Sequence, residues 1–144
     1  MNNNNKIIDN KRIIELKKKV FKNKKIVLCH GVFDYLHIGH IKHFEESKSY
    51  GDILIVSVTD DQFVNKGPDR PIFKSQHRLF SIASLICVDY VYLNKSLDAT
   101  NVIKIIKPNF YSKGQDYKNL SDDITNKIGI EIETVKKFKG KVIF

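Results

Sequence analysis

What the chain lacks narrows its class before any motif is considered. It has no apolar stretch near the roughly 20 residues that a membrane-spanning helix needs. Its longest apolar runs, at 53–58 and 85–88, are far shorter. No apolar segment follows Met1 in the manner of a secretory signal. Cysteine is scarce: Cys29 and Cys87 lie inside apolar runs that read as core, with neither metal-ligand spacing nor a disulfide framework. Together these absences point to the cytoplasm. The lysine clusters lack the interleaved aromatics of a single-strand nucleic-acid platform, and no recognition motif for nucleic acid is present. There is no internal repeat and no domain linker.

What is present suits one soluble domain. A chain of 144 residues, 42 % hydrophobic and 28 % charged, can bury a single sizeable core. The net charge of +9 is concentrated in residues 11–25 and in Lys136, Lys137, Lys139 and Lys141. Such a balance suits polyanions in general, and here it reads first as a solvated face in a chain rich in Lys, Asn and Ile.

The pattern along the chain alternates strands and helices. Residues 1–8 open with a run of asparagines and are expected to be disordered. Asp9 or Asn10 is placed to cap a lead-in helix over 9–23, with Ile13, Leu16, Val20 and Phe21 on one face. The domain core then spans 24–144. Strands are predicted at 25–29, 52–59, 89–93, 109–112, 130–135 and from 141 to the end. Helices are predicted at 39–50, closed by a left-handed Gly51, at 75–86, capped by Ser75, from Asp98 or Thr100 to 106, and at 121–127. A short helix or turn falls at 60–65. Continuous apolar strands are those buried on both faces, and the alternation predicts a Rossmann-like, doubly wound parallel sheet in a single α/β domain.

The chemistry concentrates between the first core strand and the helix after it. His30, Gly31, Val32, Phe33, Asp34, Gly39 and the pair His37 and His40 stand where such a sheet binds ligands, at a strand's carboxyl end and a helix N-terminus. Gly31 and Gly39 read as points of close backbone approach to a ligand. A lone histidine is more often a satisfied structural residue; two flanking a glycine at a strand-to-helix turn read as phosphate ligands that stabilise developing charge.

The stretch Gly31-Val32-Phe33-Asp34-Tyr35-Leu36-His37-Ile38-Gly39-His40 resembles the signature of the cytidylyltransferase-like nucleotidyltransferase superfamily, and the similarity runs in register over residues 24–144. Within it the chain is most similar to the adenylyltransferase domain of ADP-heptose synthases. That similarity rests on Lys66-Gly67-Pro68-Asp69-Arg70-Pro71, on Gln76-His77-Arg78 leading into Val88-Asp89-Tyr90-Val91, and on Lys113-Gly114-Gln115-Asp116-Tyr117. The resemblance implies transfer of a nucleotidyl group from ATP or CTP to a phosphorylated small molecule, with Mg²⁺ and release of pyrophosphate. His37 and His40 would hold the triphosphate, with Lys66 and Arg78 as further catalytic groups. Lys113, Gly114 and Asp116 would meet the nucleotide. Lys66, Arg70 and Asp34 would meet the second substrate, and Asp34 would orient the turn or help hold Mg²⁺. Tyr117 reads as packing.

The resemblance also implies a homodimer and a possible fusion to a sugar kinase domain. Family members continue into a Ser/Thr-rich segment that contacts the nucleotide, whereas this sequence stops at Phe144; it reads as truncated at the C-terminus. Two other readings stay open at this point: a glycerol-3-phosphate-type cytidylyltransferase, and a non-catalytic nucleotide-binding or dimerisation module.

Overall fold

The computed structural model describes residues 3–114 and 127–144. Apolar runs at 26–29 and 53–58 form β2 (Ile26–Gly31), buried over its first four residues, and β3 (Ile53–Thr59), buried throughout. They lie in a six-stranded sheet with β1 (Ile7–Ile8), β4 (Tyr90–Asn94), β5 (Phe110–Ser112) and β6 (Lys141–Ile143), in the order β1-β4-β3-β2-β5-β6. Every pairing is parallel.

Alternate strand residues feed two cores, because successive side chains leave a strand on opposite faces. Ile26, Leu28, Ile53 and Ile55 join the face covered by α2 (Asn10–Lys19), α5 (Thr100–Ile106) and α6 (Lys127–Lys137). Val27, Cys29, Leu54, Val56 and Val58 join the face covered by α3 (Ile38–Lys48) and α4 (Ser75–Ala83). The sheet is therefore doubly wound, as the alternation predicted. The chain winds outward from β2 to β3 and β4 on one side and through β5 to β6 on the other. The crevice for a ligand opens at that reversal, beside the carboxyl ends of β2 and β5.

Several local expectations are corrected. Where disorder was expected, Asn3–Lys6 is a helical turn, α1, and Ile7 and Ile8 pair with Val91 and Tyr92 at the sheet edge. The strand expected at 130–135 is helix α6. Ile128, Glu131, Thr134 and Val135 are its buried residues, a spacing of three to four that only a helix places on one face. Gly129 lies inside that helix. The helix expected at 121–127 lies outside the described residues up to 126. Ser75 does not cap α4; Lys74 occupies that position, without a side-chain bond. Gly51 is not left-handed: a Cβ there would meet the Lys25 carbonyl at 2.8 Å and Val27 at 2.9 Å, so close packing requires the glycine.

Candidate active site

The N-terminus of α3 is built by the two histidines themselves. His37 is the N-cap, and its Nδ1 accepts a hydrogen bond from the Gly39 amide at 3.0 Å. His40 Nδ1 accepts from the His37 amide at 3.3 Å. The rings lie 3.9 Å apart, tilted by 30°. In the neutral rings an accepting Nδ1 leaves the proton on Nε2, so each ring keeps one N–H donor, and the Tyr35 carbonyl lies beside the His40 ring. The two rings supplement the free amides and positive dipole end of the helix, which together suit an anion. Burial holds the His40 pKa below the ordinary value, helped by the neighbouring His37, His43 and Lys66 charges and opposed by the Tyr35 carbonyl.

Both glycines of the turn lie against side chains. A Cβ on Gly39 would meet the His37 ring at 2.8 Å, and one on Gly31 would meet the Phe33 ring at 2.8 Å. Phe33 adopts a left-handed φ of 52°. That backbone folds its ring over Gly31 and sets it edge-on to His40 at 5.4 Å and to Phe44 at 5.0 Å. The motif thus uses small residues to admit the rings that orient its histidines.

Asp34 and Arg78 fix the surrounding loops. The buried Asp34 carboxylate accepts from the Ile72 and Phe73 amides at 2.8 and 2.9 Å and from Arg70 Nε at 2.9 Å. Burial pushes its pKa up, but these donors outweigh it and hold the carboxyl below its ordinary value. Both oxygens are engaged, which speaks against the expected Mg²⁺ ligand at Asp34. No group of three His, Cys, Asp or Glu residues suited to a metal occurs among the described residues.

Arg78, expected at a phosphate, is turned into the protein instead. Its side chain is 1 % exposed and donates to the carbonyls of Val32, Thr59 and Phe73 at 2.8–2.9 Å and to Asp61 at 2.6 Å. It joins the turn after β2, the end of β3 and the 70–73 segment. Arg70 also lies over the Tyr35 ring at 5.9 Å, at the mouth of the same turn. Lys66 stands exposed on the loop after β3, near enough for its charge to act on His40.

Lys113 closes the crevice from the β5 side. Its Nζ donates to the His30 carbonyl at 3.2 Å, across the junction of β5 and β2. His30 bonds Ser57 at 3.0 Å, and its pKa is pushed down to about 3 by burial and then by the charges of Lys113 and Lys127. Gly114 follows with open space beside its Cα. Asp116 and Tyr117 lie outside the described residues.

One neighbour escaped the sequence reading. His43, one turn beyond His40, sits 3.8 Å from the Cys29 sulfur and is kept neutral by burial and Lys113. Its spacing of three from His40 on a helix was the available signal. Cys29 itself is no nucleophile, since burial pushes its thiol up to about 11.

A doubly wound sheet with an imidazole-capped helix at its switch point defines a nucleotide-binding α/β domain. The comparisons make the class specific: residues 28–143 match the cytidylyltransferase-like family, and the chain belongs to it. It is 42 % identical over 120 residues to the bifunctional protein HldE of Aliarcobacter butzleri, covering 82 % of this chain and 25 % of that protein. Against the HldE of Geobacter metallireducens the identity is 35 % over 134 residues, 90 % of this chain and 27 % of the relative. The chain thus spans about a quarter of the length of these curated relatives.

Among solved structures, a lipopolysaccharide core biosynthesis protein from Thermoplasma volcanium superposes with a TM-score of 0.67 at 30 % identity, over 83 % of this chain and 94 % of that one. A pantoate-beta-alanine ligase from Francisella tularensis shares the fold at 22 % identity and a TM-score of 0.64, over 95 % of this chain and 65 % of that one. The chain is a nucleotidyltransferase of the cytidylyltransferase-like family.

Proposed function

We propose that this domain transfers a nucleotidyl group, adenylyl ahead of cytidylyl, to a sugar phosphate of the heptose 1-phosphate kind. The observation that carries the reading is the pair of imidazoles whose Nδ1 atoms cap the start of α3, beside the β2–β5 junction. The sugar-phosphate assignment draws on the HldE relatives and on the neighbour named for lipopolysaccharide core biosynthesis.

An oxygen of the acceptor phosphate attacks the α-phosphorus in line. A new P–O bond forms, the bond to the β-phosphate oxygen breaks, and pyrophosphate leaves with its electron pair. Positioning and charge stabilisation supply most of the rate in such transfers. His37 and His40 donate to triphosphate oxygens as charge develops. Lys66 and Arg70 face the acceptor, Lys113 and Gly114 border the nucleotide, and Asp116 meets its ribose or base. Asp34 and Arg78 act as positioning residues. Mg²⁺, held by the triphosphate oxygens rather than by a protein cluster, would neutralise part of the triphosphate charge. The domain works as a homodimer beside a sugar kinase partner domain.

The test is pyrophosphate release with Mg²⁺, pairing ATP and CTP with heptose 1-phosphate and glycerol 3-phosphate. ATP with the heptose phosphate is the expected productive pair, and His40→Ala should lower its rate by about 10²–10³, the usual effect of removing one such donor. Turnover with CTP and glycerol 3-phosphate alone, or a His40→Ala variant as fast as the parent, would overturn the reading.

A further inference from the structure

We propose a second ligand site, for a phosphorylated sugar or polyol, at the outer edge of the sheet where β1 stops and β4 runs on. This site does not rest on the transfer reaction. β1 covers β4 only at Val91 and Tyr92, while β4 continues to Asn94. The start of α2, the end of β4 and one side of α5 then enclose a crevice of about 960 Å³. That volume lies in the range of small-molecule sites.

The lining is rich in donors and poor in acceptors. Lys11, Arg12, Lys95 and Lys104 contribute four cations against the single carboxylate of Asp9. Asp9 already accepts from the Arg12 amide at 2.8 Å. Arg12 pairs with Glu15, outside the crevice, whereas Lys11, Lys95 and Lys104 have no ion-pair partner among the described residues. The Tyr92 hydroxyl donates to Asn10 Oδ1 at 2.5 Å. This fixes the Asn10 amide and leaves its NH₂ group for a ligand.

Ammonium groups that line one crevice suit a phosphate, and amide groups beside them suit hydroxyls. A nucleotide fits less well: Tyr92, the aromatic residue of the lining, is only 9 % exposed and offers no stacking face. The crevice is separate from the histidine turn. β3 stands between β4 and β2, and none of the crevice's lining residues belongs to the 30–40 turn.

The experiment is an amide NMR titration of the protein without nucleotide, at physiological salt, with ribose 5-phosphate and with inorganic phosphate. Expected are shifts at residues 8–12 and 92–105, tighter binding of ribose 5-phosphate than of phosphate by several-fold, and at least tenfold weaker binding in Lys95→Ala/Lys104→Ala. Both lysines are exposed, so the variant keeps its fold. His40→Ala should leave these shifts unchanged. Shifts confined to residues 30–40 and lost in His40→Ala, undiminished binding by the double variant, or no binding at millimolar probe would overturn the site. Equal affinity for the two probes would overturn its assignment to a sugar phosphate.

Discussion

At the scale of the residue, the turn between β2 and α3 shows why a motif needs its small members. Gly31 and Gly39 each lie under a ring, and those rings belong to the residues that hold the site. Gly31→Ala should therefore destabilise the fold by about 1–3 kcal/mol, the usual cost of overpacking, because its Cβ meets the Phe33 ring at 2.8 Å. In a Phe33→Leu background the same change should cost less. Denaturant melts of the four proteins measure that coupling, and strictly additive costs would show that the ring is not what the glycine admits. Lys66 offers a second test at this scale. Its charge is one of the influences that lower the His40 pKa. Lys66→Ala should move the His40 titration midpoint upward toward the ordinary value, read from its ring signals by NMR; an unmoved midpoint would place Lys66 too far from the turn to act there.

At the scale of the element, the site is held by Asp34 and Arg78, and sequence reasoning assigned only the second of them elsewhere. The histidines were legible because their type, their spacing around a glycine and their position at a strand end all pointed one way. Asp34 was expected to orient the turn or help hold Mg²⁺, and its bonds to the 70–73 segment fit the first role, whereas Arg78 was legible as a motif member but not in its role. Whether a charged side chain faces a ligand or a neighbouring carbonyl depends on contacts 17 to 46 residues away in the chain. The strand expected at 130–135 failed for a related reason: β-branched residues alternate there locally, yet the partners that bury Ile128 and Val135 favour a helix. The two-residue β1 was missed because its pairing with β4 lies more than 80 residues away. Arg78→Lys retains the charge but cannot span four acceptors from one ammonium. It should cost about 3 kcal/mol or more of stability, because buried acceptors lose their partners, and should slow turnover without a comparable change in nucleotide affinity. Urea melts and steady-state kinetics check both effects, and a variant with parental stability would show that the three loops hold together without this clamp.

At the scale of the whole molecule, several titratable groups share one direction of shift, and this gives the fold a defined response to acid. His30, His40 and His43 have pKa values lowered first by burial, and Asp34 is lowered by its hydrogen-bond donors. Below an unperturbed histidine pKa of 6.5, the unfolded chain binds protons that the folded chain refuses. Stability then rises with pH across that interval. For His30 the window runs from 6.5 down to about 3: its contribution is fully present above 6.5 and is lost as pH falls through it. Asp34 adds a loss of the same sign below about pH 4, where an unfolded carboxyl gains its proton. The protein should accordingly melt at progressively lower temperature between pH 7 and pH 4. His30→Asn keeps a side-chain donor and acceptor near Ser57 but has no proton to take up. Its melting temperature should fall less steeply over the same range, so that the gap from the parent narrows or reverses toward pH 4. Parallel profiles for the two proteins would mean that His30 is as free to protonate in the folded chain as in the unfolded one, and that the enclosure between β2, Ser57 and Lys113 does not exclude the charge.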